Sequence, residues 1–210
     1  MRICVTGGIA CGKSLLASYL NELGVETVDA DDVAHEIIPD PEERQRIAAE
    51  VFADPAKRRE LEAKIHPLVK ARIDEFLAGR DGRDSRDRRD DRDRRDDRDS
   101  CQSRLSCSFR LRLAIIPLLF ETHWESEYDI ICCVASTREN QVSRMMTTRG
   151  YTREEAEARL AAQLPVAEKA AKSHYVIDNN GTPEELKEKA NQHYQINIIT
   201  TGWEIHHSII

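Results

Sequence analysis

The sequence lacks any hydrophobic run long enough to cross a membrane. No stretch approaches the roughly 20 consecutive apolar residues that a spanning helix needs. No positively charged start followed by an apolar run precedes its first strand-like segment either. We therefore expect a cytoplasmic protein without a membrane partner.

The sequence also lacks paired cysteines and an excess of positive charge. Its six cysteines form no Cys-x-x-Cys pair, so we expect reduced thiols and no metal site among them. The formal net charge of -7 argues against a protein that coats nucleic acid, because that partner demands a broad basic face. An anionic small-molecule substrate stays open, since a few local Arg, Lys and backbone N–H groups suffice to hold one.

Short apolar segments alternate with helix-prone segments along the chain. The strand candidates are RICVT, ETVDADD, RLAIIP, DIICCVAS and YVIDN. Parallel strands need crossover connections, and these are usually helical. The pattern predicts an α/β fold with a parallel five-stranded sheet covered by helices on both faces.

Two helix-prone segments interrupt the core, which we assign to residues 1–38 and 111–194. Residues 39–78 are charged and carry apolar stripes, which predicts a small helical lobe between the second and third strands. Residues 138–172 form an arginine-rich helical segment, which predicts a lid.

Two further segments do not fit a compact domain. Residues 80–99 contain nine Arg and nine Asp with one Gly and one Ser, so they have no apolar surface to offset the entropy of ordering. We predict that residues 79–110 form a disordered insert, with an interaction segment as the alternative. Residues 195–210 are a β-branched tail with one acidic residue, Glu204, and we assign it no role.

Residues Gly7–Ser14 match the phosphate-loop pattern G-x-x-x-x-G-K-[S/T], between a predicted strand and a predicted helix. Glycines let backbone N–H groups turn toward phosphate oxygens, and the following helix adds its positive end. We expect Lys13 to reach the β- and γ-phosphates and the Ser14 hydroxyl to bind Mg²⁺. The alternative is a glycine-rich turn that arises by chance.

The second predicted strand runs into the acidic sequence Asp29-Ala30-Asp31-Asp32. Ligands of doubly wound sheets bind at the carboxyl ends of the strands, so these carboxylates are expected near the phosphates. Asp31 is our candidate for the base that accepts the proton of an attacking hydroxyl. The alternative is that these residues cap the next helix.

Several separated motifs resemble the dephospho-CoA kinase family. The chain contains TGGIACGKS, VDADDVAHEI, VFADPAKRRELEAKIHPLV, IIPLLFE, the run from Gln141 to Gln163, and VIDNNGTPEEL, in the order of that family. The resemblance implies a P-loop fold like that of nucleoside monophosphate kinases. It also implies ATP-dependent phosphorylation of the ribose 3′-hydroxyl of dephospho-CoA, with ATP and Mg²⁺ required.

The resemblance also implies roles for individual residues. Catalysis would fall to Asp31 and Lys13, and Ser14 would hold the metal. The implied ATP-binding residues are Gly8, Ile9, Ala10, Cys11, Gly12, Lys13, Ser14, Leu15, Arg144 and Asn179. The implied substrate-binding residues are Asp31, Arg44, His66, Pro117, Leu118 and Glu121. In the lid, Arg159 and Gln163 match the family's Arg-x-x-x-Gln pattern, and the resemblance implies that Arg144 and Arg159 close over the transferring phosphate.

Local structure offers an alternative for most of these residues. For Arg44, Arg144 and Arg159 the alternative is a solvated helix position. For His66-Pro67 the alternative is a helix boundary. For the loop that contains Asn179 and Gly181 the alternative is an ordinary turn.

The chain departs from the family pattern at several positions. Pro39-Asp40-Pro41 replaces a longer segment on the substrate side, and the Arg/Asp insert replaces a short connection. His35 stands where the family usually has Arg, and Leu15 where a hydroxyl residue is common. The segments TRG (148–150) and SH (173–174) replace Arg-Asp-Gly and Ala-Asp.

These departures keep two alternatives open. The alternatives to a dephospho-CoA kinase are a P-loop kinase for another nucleotide-like metabolite and a degenerate, non-catalytic copy. The sequence makes no prediction of the oligomeric state.

Overall fold

The structure is a computed structural model, and it describes residues 1–40, 42–44, 46–47, 55–79 and 111–193. The Arg/Asp insert and the C-terminal tail lie outside the described residues. The chain divides into two compact units, Met1–Thr27 with Leu113–Ile210 and Val28–Arg112. We describe each unit by itself.

Five strands form one sheet in the order β2-β3-β1-β4-β5. In parallel register, Val5 lies opposite both Ile115 and Cys132, and Val134 lies opposite Ile177. The prediction of a parallel five-stranded α/β fold is confirmed. The strands are β1 (Ile3–Gly7), β2 (Glu26–Asp29), β3 (Arg112–Ile115), β4 (Ile130–Ala135) and β5 (Tyr175–Asp178).

The helices fall between the strands, as the alternating pattern predicts. In the first unit, α1 packs on α7, and α6 packs on β1 and β4. All five residues of β1 are buried, and successive side chains of a strand point to opposite faces, so both faces are covered at the centre of the sheet. The helices are α1 (Lys13–Glu22), α2 (Ala30–Ile37), α3 (Pro55–Leu77), α4 (Arg138–Arg149), α5 (Arg153–Ala161), α6 (Val166–Ala171) and α7 (Pro183–His193).

The predicted lid consists of α4, α5 and α6. Thr137 caps α4, Gly150 ends it in the left-handed conformation, and Thr152 with Glu155 forms a capping box at α5. Val142, Met145 and Ala156 form a buried cluster between α4 and α5, against which the phosphate-loop residues 9 and 10 pack. These contacts place the first two lid helices directly beside the phosphate loop.

In the described part of the second unit, α2 packs on α3. Its buried side chains include Val33 of α2 and Val69, Ile73 and Phe76 of α3. The helix-boundary alternative for His66-Pro67 is wrong, because Pro67 lies inside α3. Proline has no N–H, so α3 gives up one backbone hydrogen bond there.

No helix in the described part of the chain has both the length and the apolar character needed to span a bilayer. Cys4, Cys11, Cys132 and Cys133 are free thiols. Burial raises the pKa of Cys132 to about 12, so this thiol is neutral at physiological pH.

We predict that Thr152→Ala lowers the free energy of unfolding by about 1 kcal/mol, because α5 loses its N-cap. The Thr152 hydroxyl accepts from the Glu155 N–H at 3.2 Å, and Glu155 Oε2 accepts from the Thr152 N–H at 2.9 Å. Urea denaturation monitored by circular dichroism measures the loss. Thr152→Ser, which keeps the acceptor, is the control, and equal stability of the Ala variant would contradict the capping role.

Candidate active site

The phosphate loop joins the end of β1 to the start of α1. Lys13, the first residue of α1, folds back over the loop, and its Nζ donates to the carbonyl oxygens of Gly7 and Gly8 at 3.0 and 2.8 Å. The carbonyl of Gly12 accepts the first helical bond, from Leu16 N at 2.9 Å. The lysine therefore lies at the loop, where a phosphate chain would be bound.

Three side chains from distant parts of the chain hold the remaining loop carbonyls, and we call them the outer donors. The bonds are Gln141 Nε2 to Ile9 O (2.7 Å), Arg144 Nη1 to Ala10 O (3.3 Å) and Asn179 Nδ2 to Cys11 O (2.8 Å). The described part of the chain has no cis peptide bond. In a trans peptide the C=O and the following N–H point in opposite directions, so the amides of residues 10–12 turn away from the outer donors.

The start of α1 favours anion binding in the same region. Gly12 precedes the helix with φ = 95°, and no side chain caps α1 among the residues that the structure describes. The first N–H groups of a helix have no partner within that helix, and they carry its positive partial charge. The loop amides and the helix start thus offer the donors that a phosphate chain needs.

Two loop glycines make room for the outer donors. A Cβ on Gly8 would lie 2.6 Å from Gln141 Nε2 and 2.5 Å from a methyl carbon of Val166, and a Cβ on Gly12 would collide with Asn179 Nδ2. The sequence interpretation explained these glycines by access to phosphate. The structure adds that the side chains outside the loop also require them.

Arg144 and Asn179, both predicted to bind ATP, are brought together with the loop. Arg144 Nη2 donates to the Asn179 carbonyl at 2.8 Å, and Arg144 Nη1 lies 3.4 Å from Ser136 Oγ. Both residues belong to the first unit, and their side chains donate to backbone and hydroxyl oxygens there. Arg144 is therefore not simply a solvated helix residue, and Asn179 does more than form a turn.

Gln141 is a site residue that sequence reasoning missed. Its side chain is only 4% exposed, although it lies on a lid helix whose other polar residues are mostly exposed. A buried amide side chain requires a hydrogen-bond partner. In the sequence, Gln141 is recognisable only by its position next to Val142 of the buried cluster. That position does not reveal that its partner lies in the phosphate loop.

Cys11, inside the loop, is buried, and this burial raises the pKa of its thiol, while Lys13 acts in the opposite direction. The thiol therefore stays protonated at neutral pH. It adds no negative charge to a site that must attract phosphate.

A cavity of about 450 Å³ opens beside Gly8. Its walls come from the ends of β4 and β5 and from the three lid helices. Predicted lid residue Gln163 lines it, and Arg159 instead stacks on the Tyr151 ring at 4.4 Å. The lining residues are Gly8, Ala135, Ser136, Thr137, Arg138, Gln141, Leu160, Gln163, Leu164, Pro165, Val166, Ala167, Ala170, Asp178 and Asn180.

The acidic sequence after β2 divides into a cap and an exposed carboxylate. Asp29 is the N-cap of α2, and its Oδ1 accepts from the Asp31 N–H at 2.9 Å. The capping alternative thus holds for Asp29. Asp31 lies exposed in the first turn of α2, so its carboxylate is not buried in the core of its unit.

Arg44 contacts the end of α2 rather than solvent alone. Its Nη1 donates to the carbonyls of Ile38 and Pro39 at 2.6 and 3.0 Å. Nearby, Asp40 Oδ1 accepts from the Glu42 N–H at 2.9 Å. His66, the other predicted substrate residue of this unit, is half-buried in α3.

The predicted motif after β3 lies in the first unit. Pro117 is buried and Leu118 is half-buried. Glu121, predicted to bind substrate, forms an ion pair with the buried Lys169 at 2.7 Å. One of its carboxylate oxygens is therefore already bound to a partner within the protein.

Ser14 and Leu15 are exposed in the first turn of α1. No group of three or more His, Cys, Asp or Glu side chains suited to a metal ion occurs among the described residues. A Mg²⁺ ion that keeps several waters and takes its other ligands from phosphates needs only one hydroxyl from the protein. Ser14, one residue after Lys13, fits that requirement.

We predict that Gln141→Met weakens ATP binding about tenfold, or about 1.4 kcal/mol. The variant leaves the Ile9 carbonyl without its donor and lets this part of the loop relax. Isothermal titration with a non-hydrolysable ATP analogue measures the change. Ser143→Ala, at an exposed position of the same helix, is the control, and an unchanged affinity of the Met variant would refute the outer-donor role.

Comparison with known proteins supports one family. A model of the dephospho-CoA kinase family matches residues 1–43 and 98–185. The dephospho-CoA kinase of Synechococcus sp. (strain JA-3-3Ab) is 36% identical over 214 residues, which cover 91% of this chain and 91% of that protein.

Solved structures share the fold. A crystal structure from Thermus thermophilus has 30% sequence identity and a TM-score of 0.69, covering 91% of this chain and 95% of its own. The dephospho-CoA kinase from Campylobacter jejuni, at 22% identity, shares the fold with a TM-score of 0.59 and covers 92% of this chain and 95% of its own. The resemblance carried by the motifs is confirmed, and the chain belongs to the dephospho-CoA kinase family.

Proposed function

We propose that this protein transfers the γ-phosphoryl group of ATP to the ribose 3′-hydroxyl of dephospho-CoA, which gives coenzyme A and ADP. Membership of the family supports the reaction and its kinase class. The observation that carries the proposal is the phosphate loop, whose carbonyls are bound by Lys13 and the outer donors. Bonds to the loop carbonyls turn the following N–H groups toward the side on which a phosphate chain would lie.

Lys13 acts on the transferring phosphate. Its Nζ lies on the carbonyls of Gly7 and Gly8, and we propose that it moves to the β- and γ-phosphate oxygens when ATP binds. A cation there offsets the charge that spreads over the phosphoryl oxygens in the transition state. The amides of Gly8–Ser14 and Leu15 hold the rest of the triphosphate, with Arg144 and Asn179 as supports.

Ser14 is the residue that we propose to hold Mg²⁺ together with the ATP phosphates. The ion, when bound, neutralises phosphate charge and orients the β- and γ-phosphates. The protein contributes the hydroxyl and its place in the first turn of α1.

Asp31 is proposed to accept the proton of the acceptor 3′-hydroxyl. Its exposed position in the first turn of α2 leaves the carboxylate accessible to a ligand. Arg44 and His66 are the proposed acceptor contacts of the second unit, and Pro117 and Leu118 those of the first. The bonds of Arg44 to Ile38 and Pro39 suggest that it also shapes the shortened lobe.

We also propose a cytoplasmic location, because the proposed substrates ATP and dephospho-CoA are cytoplasmic metabolites. Neither nucleic acid nor a membrane is needed for the reaction. The proposed partners are therefore small molecules alone.

We predict that the purified protein releases ADP from Mg-ATP only when dephospho-CoA is present. A coupled ADP assay tests this, with adenosine monophosphate and no acceptor as controls. Release with adenosine monophosphate instead would favour a kinase for another metabolite. ATP binding without turnover for any acceptor would favour the degenerate alternative.

We predict that Asp31→Asn lowers kcat by about 10²- to 10⁴-fold, the range expected when a general base is lost. The ATP affinity should change little, since the phosphate loop is untouched. Steady-state kinetics with dephospho-CoA and a separate ATP titration measure the two quantities. Asp32→Asn, at the exposed neighbouring position, is the matched control, and a kcat within about threefold of wild type for Asp31→Asn would remove Asp31 from the mechanism.

A further inference from the structure

Lys169 of α6 is a charged side chain without solvent exposure. Its relative exposure is 0%, and its Nζ donates to the Pro117 carbonyl at 2.7 Å and pairs with Glu121 Oε1 at 2.7 Å. Lysine is almost never fully buried unless it is paired. The lysine thus joins α6 to the segment that follows β3.

Glu121 connects this pair to a third place in the fold. The same Oε1 accepts from the Leu164 N–H at 2.9 Å, in the turn between α5 and α6. Its other oxygen, Oε2, is buried and has no hydrogen-bond partner among the described residues. One carboxylate oxygen therefore contacts both the turn and, through Lys169, the last helix of the lid.

Stability alone does not account for such a pair. Removing two charges from water is costly, and replacing a buried ion pair by apolar groups of similar volume is often neutral or stabilising. A carboxylate oxygen that is buried without a donor adds to the cost. The arrangement is better explained by the position that it imposes on the turn.

The turn lies against the phosphate loop. Gln163, Leu164, Pro165 and Val166 line the same cavity as Gly8. A Cβ on Gly8 would lie 2.5 Å from a methyl carbon of Val166. A small shift of the turn would therefore change the space beside the loop directly.

We propose that Lys169 and Glu121 form a positioning pair that holds the 163–166 turn against the phosphate loop during the transfer. This inference rests on the proposed function. It gives Glu121 a supporting role in place of the direct substrate contact that the sequence resemblance implied. Lys169 is not among the site residues predicted from the sequence.

The test is the double variant Lys169→Met/Glu121→Gln, which removes both charges and keeps an oxygen that can accept from Leu164 N–H. A single Lys169→Met would leave a carboxylate buried and unpaired and risks unfolding. We expect the double variant to fold, with a thermal midpoint within about 5 °C of wild type.

We expect its kcat for ADP release with dephospho-CoA to fall at least about tenfold, since small misplacements near reacting groups are costly. The KM for ATP should change less than about threefold, because the outer donors remain. The control is Arg153→Met/Glu139→Gln, which removes an exposed ion pair of 2.8 Å between α5 and α4. A double variant with wild-type kcat, or one whose activity falls only with its folded fraction, overturns the proposal.

Hydrogen exchange separates this proposal from the proposed function. If wild-type protein shows no turnover with dephospho-CoA, the proposed function fails, but the positioning pair is still tested by exchange. Exchange should then rise in the peptides covering 117–122 and 163–166 together in the double variant, and in neither for the control. Unchanged exchange, or a rise in only one of the two peptides, overturns the pair as a connection.

Discussion

The carbonyl groups of the phosphate loop are the constraint on which the rest of the site depends. A loop that presents its amides to a ligand must bind its carbonyls elsewhere, because buried backbone groups without partners are costly. Here Lys13 and the outer donors take the carbonyls of residues 7–11. The loop is thus arranged for phosphate by side chains that belong to the lid and to the loop after β5, and these elements cannot move far without releasing it.

The sequence predicted the parts of this site that follow local rules. The five strands, the phosphate loop and the lid helices each depend on periodicity or glycine spacing within one segment, and the structure contains them. Gln141 and Lys169 escaped prediction, since their partners lie 132 and 52 residues away in the chain. A lone polar residue in a helix says nothing about which backbone carbonyl it will reach until the fold has brought both together.

In the second unit, neighbouring acidic residues have different roles: one caps a helix and another is the candidate base. Asp29 takes the N-cap of α2 and binds the Asp31 N–H, so Asp31 does not itself serve as the N-cap. From the sequence, each of these acidic residues could be a helix cap or the general base. Which residue is the cap depends on where β2 ends, and the sequence does not show that residue. Arg44 combines a predicted substrate contact with a local one, because its guanidinium binds carbonyls just after the end of α2.

Three buried polar side chains in the first unit share one kind of partner. Gln141, Lys169 and Asn179 are all buried, and each donates to the carbonyl of an irregular segment outside its own element. Where the chain leaves helix and sheet, its carbonyls lose their regular partners, and a side chain of fixed length sets the separation instead. A buried ion pair would be an expensive way to stabilise such a segment. An ion pair is, however, an effective way to fix one distance. Here that distance separates the 163–166 turn from Gly8, and it sets the width of the cavity beside the phosphate loop.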